Sequence, residues 1–164
     1  MPYAYGGVEP KANQLPRHYI EMAMYKNMER WVIKGIRPPH AEPLKVQAGV
    51  GTSKSLSGET FNASFVKDQY GNVLGGVRSP YVDVTTATYY EYATLKEGYV
   101  YAWSFGHQDD FSSEKLQQIY GTVAPHQNYV KQVKASVEKL QQERWLEPEE
   151  AQKNIQQAEL TPIP

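Results

Sequence analysis

Residues 68–84 read DQYGNVLGGVRSPYVDV, and this stretch combines turn-forming residues with two isolated charges. Its first five residues, 68–72, have the composition of a tight turn. They lie between an alternating segment at 61–65 and the apolar pair at 73–74, so they predict a β-hairpin. Pro80 favours the edge or the start of a strand, and we expect the residues around it to be extended.

Arg78 and Asp83 are the two charged side chains of this stretch that stand among apolar or small residues. A charge that becomes buried needs a partner, and a planar guanidinium offers a carboxylate two parallel hydrogen bonds. We expect the two side chains to pair with each other or with groups elsewhere in the fold. A structural ion pair is favoured over a contact with a ligand.

The amino-terminal part predicts an irregular arm over 1–16, followed by a helix over 17–34. Apolar residues three or four positions apart form one stripe on that helix, which we expect to face the core. Gly35 can supply a left-handed cap, and Pro38 and Pro39 prevent the helix from continuing. The stripe consists of Ile20, Met24, Met28, Trp31 and Val32.

The remaining residues predict an α+β fold, with a small and mostly antiparallel sheet between the first helix and several carboxy-terminal helices. Alternation predicts strands at 44–48 and 61–65, with a loop over 49–58 between them. Residues rich in strand formers predict further strands at 85–92 and 99–103. We expect 17–160 to form one domain. Three carboxy-terminal helices are predicted, beginning at Ser112 or Ser113, at Pro125 and at Pro148.

Composition excludes several classes of protein. The chain has 164 residues, a net charge of −1 and no cysteine, which excludes disulfides, a thiol nucleophile and cysteine-ligated metals. No basic stripe with interleaved aromatic residues suggests nucleic acid as a partner. No apolar run has the length of a membrane span, and the first residues do not form a signal peptide. The cellular compartment stays open.

A histidine and two carboxylates lie close together at His107, Asp109 and Asp110. Such a group can bind a divalent cation or act in acid–base catalysis. The favoured alternative is that Asp110 and Ser112 begin the next helix while His107 is solvated. We expect no metal and no other cofactor. No G-x-S-x-G motif occurs, and the run at 49–55 lacks the spacing of a phosphate-binding loop, so no catalytic residue is assigned.

Residues 68–84 resemble the carboxy-terminal region of a large family of α/β-hydrolase-domain proteins, whose members carry a stretch like GN-x-x-GGVR-[ST]-P-[WY]-VDVP. Three other segments agree in order and spacing, so the likeness covers about 14–160. Thr85 stands where the family usually has proline. The three segments are 30–39, similar to RWV-x-x-G-x-x-PP, 111–120, similar to PF-x-x-x-x-L-x-x-LY, and 129–151, similar to YV…A…LL-x-x-DA.

The resemblance implies the final portion of an α/β-hydrolase whose nucleophile lies upstream of the matching segments. We expect a carboxy-terminal subunit or fragment that packs on an amino-terminal hydrolase chain, or on itself, and shapes a substrate pocket. Candidate binding or structural residues are Arg78, Tyr81, Asp83, His107, Asp109 and Asp110.

Two other functions stay open. One is a stand-alone binding or structural module that presents tyrosines to a carbohydrate or a protein, since each tyrosine offers a flat apolar face and a hydroxyl. The other is a small metal-dependent enzyme that uses His107, Asp109 and Asp110. The tyrosines of the first alternative include Tyr81, Tyr89, Tyr90, Tyr92, Tyr99 and Tyr101.

Overall fold

The computed structural model describes residues 11–54, 60–90 and 106–164. Over these residues the chain is α+β, with two small antiparallel sheets, so the predicted fold class is confirmed. The predicted strand at 99–103 lies outside the described residues. The helices are α1 (His18–Lys34), α2 (Pro80–Asp83), α3 (Ser113–Tyr120), α4 (Pro125–Gln142) and α5 (Pro148–Leu160), and the strands are β1 (Val46–Lys54), β2 (Thr60–Phe65), β3 (Ala87–Tyr90) and β4 (His107–Asp110).

Helix α1 forms where it is predicted and ends as predicted. Gly35 adopts a φ of 67° and donates its N–H to the carbonyl of Trp31 at 2.9 Å. The predicted orientation is wrong for four of the five stripe residues, because the buried side chains are Ala23 and Asn27, and only Ile20 of the stripe packs against the core. The buried side lies roughly a quarter turn from the apolar stripe.

Polar contacts explain this orientation of α1. Asn27 donates its Nδ2–H to the carbonyl of Arg144 at 2.7 Å, and Arg30 makes two parallel hydrogen bonds to Glu147 at 2.8 and 2.9 Å. These partners lie in the connection between α4 and α5, so they turn α1 toward that connection. A set of apolar side chains, called here the α1 outer face, is left between 48% and 78% exposed: Met24, Tyr25, Met28, Trp31 and Val32.

The strands form two separate antiparallel pairs, β1 with β2 and β3 with β4. Strand β1 continues to Lys54, so the loop predicted to begin at residue 49 is wrong over 49–54. A register shift between Ala48 and Ser53 accommodates the unmatched residues of β1. Residues 55–59 of that predicted loop lie outside the described residues.

The turn at 68–72 is confirmed, and a short hairpin forms around it. Lys67 and Val73 form an antiparallel bridge, the N–H of Leu74 donates to the Val66 carbonyl at 2.9 Å, and the N–H of Asp68 donates to the Asn72 carbonyl at 2.8 Å. The strand predicted at 61–65 does not belong to this hairpin, because β2 pairs with β1. The extended structure expected around Pro80 is also wrong, because Pro80 is the first residue of the one-turn helix α2. Proline suits this position, since its fixed φ is helical and no hydrogen-bond donor is needed there.

The carboxy-terminal helices are confirmed at the three predicted starts and supply most of the core. Ser112 caps α3, and its Oγ accepts the N–H of Lys115 at 3.3 Å. Among the described residues, no helix is long and apolar enough to cross a membrane. The buried core consists of Val84, Leu116, Tyr120, Tyr129, Val133, Val137, Leu140, Leu146, Ala151, Ala158 and Ile163.

Candidate functional site

The turn at 68–72 holds the Asp68 carboxylate in a largely buried position. Asp68 Oδ1 accepts the N–H of Tyr70 at 2.8 Å and the N–H of Asn72 at 3.0 Å. Gly71, with a φ of 85°, allows the chain to reverse here. The second oxygen of Asp68 is therefore free to bind another group, and it meets Arg78.

Arg78 joins the turn to α2. Its Nη2 donates to Asp68 Oδ2 at 2.6 Å and to the Val82 carbonyl at 3.0 Å, and its Nη1 donates to the Val73 carbonyl. The side chains of Arg78 and Asp68 are only 18% and 16% exposed. Because both charges are largely withdrawn from water, each depends on the other.

The contact expected between Arg78 and Asp83 is a long one. The Nε of Arg78 lies 3.7 Å from Asp83 Oδ1, and the Asp83 side chain is 45% exposed. Ser136 of α4 donates to the other Asp83 oxygen at 3.3 Å. The closer partner, Asp68, was missed at the sequence level, where it was assigned to the turn alone.

Asn72 and Thr85 connect the turn to β3 through hydrogen bonds. Asn72 is 1% exposed; its Nδ2 donates to Thr85 Oγ1 and to the Ala87 carbonyl, both at 3.2 Å, and its Oδ1 accepts the N–H of Tyr89 at 2.8 Å. Thr85 Oγ1 in turn accepts the N–H of Ala87 at 3.2 Å. The hydroxyl of Thr85 thus makes hydrogen bonds that a proline at this position could not make.

Gly75 is needed for a close approach of two chain segments. A Cβ at this residue would lie 2.2 Å from the Pro43 carbonyl oxygen, and its φ is 90°. Neighbouring Gly76 donates its N–H to the Glu42 carbonyl at 2.8 Å. The two glycines therefore let residues 42–44 lie against the loop that carries Arg78.

Two cavities border Arg78. The first, called the α1 cavity, has a volume of about 440 Å³ and is mainly apolar, with Ile20, Leu44 and Val77 in its wall. The second, called the Arg144 cavity, has a volume of about 590 Å³ and lies between Arg78 and the end of α4. The Arg78 side chain thus forms part of the wall of both cavities while its guanidinium is bonded to Asp68 and to two carbonyls.

Tyr81 lies in a third cavity, of about 510 Å³, with Tyr89 and Tyr129. Burial raises the pKa of Tyr81 to about 12, and it raises the pKa values of Tyr89 and Tyr129 as well. These tyrosines are therefore neutral hydroxyl groups at physiological pH. The expected tyrosines at 92, 99 and 101 lie outside the described residues.

The histidine and carboxylates at 107–110 do not converge on one point. His107 is 9% exposed and stacks on Tyr90 with ring centroids 4.2 Å apart, so the solvated position expected for it is wrong. Asp110 pairs with Lys11 at 2.8 Å, and Asp109 is exposed. In the described part of the chain, no group of three or more potential metal ligands occurs. Ser112 caps α3, and Asp110, which was expected to begin this helix together with Ser112, pairs with Lys11 instead.

Alkaline pH should destabilise the fold through its buried tyrosines. The Tyr120 hydroxyl donates to the Thr85 carbonyl at 2.7 Å, and burial raises its pKa well above the usual value of 10. A phenol with a raised pKa in the folded state stabilises the fold fully below pH 10, and this contribution falls as the pH rises further. We expect the free energy of unfolding, measured by urea titration, to decrease from pH 10 upward.

Tyr120→Phe tests the contribution of this residue. The variant should lose about 1 kcal/mol at neutral pH, because the Thr85 carbonyl loses its donor, and its alkaline loss should be smaller than in the parent. Tyr25→Phe is the control, since Tyr25 is 71% exposed and should change neither quantity. An unchanged alkaline slope in Tyr120→Phe would contradict the assignment.

Comparison with known proteins gives a family for the chain. The sequence model described as the alpha/beta hydrolase domain matches residues 4–156. The chain belongs to the alpha/beta hydrolase domain family. The match confirms the resemblance drawn from the sequence. No curated protein and no solved structure gave a significant match.

Within this alpha/beta hydrolase domain chain, the structure brings together some of the candidate residues and separates others. Arg78 is in contact with both Asp68 and Asp83, and Arg78 lines two of the cavities. Tyr81 lies in a third cavity, whose wall also includes Asp110. His107 and Asp109 lie on β4, and the hydrogen bonds of Arg78 go to Asp68, Val73 and Val82.

Proposed function

We propose that this chain is the carboxy-terminal part of an α/β-hydrolase-like, esterase-like protein, and that it packs on an amino-terminal chain carrying the nucleophile. In this function it supplies a wall of the substrate pocket and no attacking group. The α1 outer face is the observation that carries the proposal.

The α1 outer face has the composition of a protein interface. It presents two methionines, an aromatic pair and a valine on one side of a helix, all at least 48% exposed. Folded monomers rarely leave contiguous apolar patches of this kind in water. Methionine, tyrosine and tryptophan are also residues that interfaces favour. A hydrolase chain packed here would remove this surface from water.

The described serines support the non-nucleophilic role. The full sequence holds no G-x-S-x-G motif, which places the serine of α/β-hydrolases on a sharp strand-to-helix turn. Among the serines whose side chains the structure describes, no hydroxyl is hydrogen bonded to His18, His40 or His126. A serine needs such a base to attack a carbonyl at neutral pH.

The α1 cavity is the part of the chain best suited to line a substrate pocket. Its wall is mainly apolar, and Arg78 and Asn72 add polar groups at one side. Pockets of this composition are typical of sites for small organic ligands, in which few polar groups fix the orientation. α1 contributes Ile20 to the cavity and also carries the outer face, so a chain docked on α1 would lie beside it.

Hydrolysis assays on the purified chain test the proposal. We expect no turnover of short acyl esters above the buffer rate, and no covalent adduct by mass spectrometry after treatment with a serine-directed phosphonate. An amino-terminal chain of the same family that carries the G-x-S-x-G motif is the positive control, and it should bind this chain. Turnover by the present chain that the phosphonate abolishes would overturn the proposal.

A stand-alone module that binds through its tyrosines is the second candidate, favoured by the cavity that Tyr81 and Tyr89 share with Tyr129. Sedimentation separates the two candidates. A stable, monodisperse monomer that has no affinity for the amino-terminal chain favours the module. Self-association or complex formation through α1 favours the subunit.

A further inference from the structure

We infer that the third cavity, called here the tyrosine cavity, is a binding site for a neutral sugar ring. This function rests on the second candidate above, binding through tyrosines, and is independent of the subunit proposal. The tyrosines of the wall, an accessible hydroxyl at Tyr81 and the balance of charge around the cavity support it.

Tyrosines from three elements meet in the wall of the tyrosine cavity. Tyr81 of α2 and Tyr89 of β3 are half-buried, and Tyr129 of α4 is 5% exposed. A half-buried tyrosine offers a molecule in the cavity both a flat apolar ring and a hydroxyl. A pyranose ring has the matching surfaces, because its faces carry C–H groups and its edge carries hydroxyls. The volume of about 510 Å³ lies in the range of sites for small ligands.

The Tyr81 hydroxyl is available to a ligand. It makes none of the hydrogen bonds found among the described residues, and its oxygen remains accessible from the cavity. By contrast, Thr86 lies beside the hydroxyl of Tyr89, and Thr161 lies beside that of Tyr129. Burial raises the pKa of Tyr81 to about 12, so this group is a neutral donor and acceptor at physiological pH. A purely apolar ligand would leave the hydroxyl without a partner, which is unfavourable, whereas a sugar hydroxyl pairs with it.

The charged groups of the wall compensate each other. Of the described residues that line the cavity, Lys11 and Asp110 carry charge, and Lys11 Nζ lies 2.8 Å from Asp110 Oδ2. The other oxygen of Asp110 accepts a hydrogen bond from Gln108 Nε2 at 2.6 Å. A charged ligand would lose hydration here without meeting a free counter-ion, which is costly. The wall therefore favours a neutral ligand, and exposed Gln14 and Gln157 add amide groups that hydrogen bond to hydroxyls.

Saturation-transfer NMR of the purified full chain tests the site. The probes are the methyl glycosides of glucose, galactose, mannose and xylose, with cyclohexanol and methyl glucuronide as comparisons. Cyclohexanol keeps a ring with a single hydroxyl, and the glucuronide adds a negative charge. We expect saturable binding of at least one of the neutral glycosides and none of either comparison compound. Binding of none of the neutral glycosides, or equally strong binding of a comparison compound, would contradict the inference.

Tyr81→Phe is the decisive variant, because it keeps the ring and removes the hydroxyl. We expect its affinity for the bound glycoside to fall about fivefold, which corresponds to the loss of one hydrogen bond. Its thermal unfolding should match the parent, since this hydroxyl makes no hydrogen bond within the described part of the chain.

Tyr70→Phe is the matched control, since Tyr70 is also half-buried but does not line the cavity. This control should bind the glycoside like the parent. Equal binding by Tyr81→Phe and the parent, or equal losses in both variants, would overturn the inference. Affinity for the amino-terminal chain is measured separately and should be unchanged in Tyr81→Phe, so a failure of sugar binding is distinguishable from a failure of the subunit proposal.

Discussion

Arg78→Met should lower the free energy of unfolding by about 3 kcal/mol. The substitution keeps much of the aliphatic volume but leaves the Asp68 carboxylate, 16% exposed, without its counter-ion. It also removes the donors to the carbonyls of Val73 and Val82. A largely buried charge without a partner is costly, and each buried carbonyl left unpaired adds to the cost. Urea titration at neutral pH measures the loss.

A matched control and a second variant make this prediction specific. Lys26→Met also removes a cation from an ion pair with a carboxylate, Glu29, but both side chains are about half exposed. It should change stability by no more than about 0.5 kcal/mol. Asp68→Asn combined with Arg78→Met should cost less than the sum of the single changes, because the second substitution removes the uncompensated charge. Additive losses would contradict the ion pair as the cause.

Met28→Lys combined with Val32→Lys should weaken association with an amino-terminal hydrolase chain by about a hundredfold or more. Two charges at the centre of an apolar interface lose the apolar contact and must themselves be desolvated. Since Met28 and Val32 are 49% and 78% exposed, the free energy of unfolding of the isolated chain should change little. Calorimetric titration with the amino-terminal chain and sedimentation of the isolated chain measure the two quantities.

The same helix offers a matched control on its other side. Met22 and Ile33 are also exposed, at 43% and 70%, and they lie outside the α1 outer face. Met22→Lys combined with Ile33→Lys introduces the same charges into the same helix. This control should bind like the parent. Equal weakening by both pairs would show that net charge, and not the α1 outer face, controls association.

The helix boundaries of this protein follow from local signals. Gly35, Ser112 and the prolines at 125 and 148 act through their own backbone conformation or through hydrogen bonds within one turn. Such effects involve residues that are close in sequence, so a single sequence is enough to predict them. Strand pairing was harder to predict, because β2 pairs with β1, whereas the recognisable turn at 68–72 joins only a short hairpin around Lys67 and Val73.

Part of the candidate site was also visible in the sequence. Arg78 and Asp83 could be identified because isolated charges among apolar residues require partners. Arg78 pairs mainly with Asp68 because the turn occupies Oδ1 of this carboxylate and leaves Oδ2 within hydrogen-bond distance of the guanidinium. The left-handed backbone of Arg144 was missed, since the residues around it include no glycine or asparagine that would indicate one.

Local backbone preferences and one continuous motif were enough to predict the α+β class, the ends of the four longer helices and the family of the chain. Long-range packing sets which side of α1 is buried, which carboxylate pairs with Arg78 and where the cavities lie. The physical reason is the same in each case: a buried polar group takes the partner that the packed chain brings within hydrogen-bond distance. Asn27 and Arg30 therefore set the rotation of α1 and leave its apolar residues in contact with water.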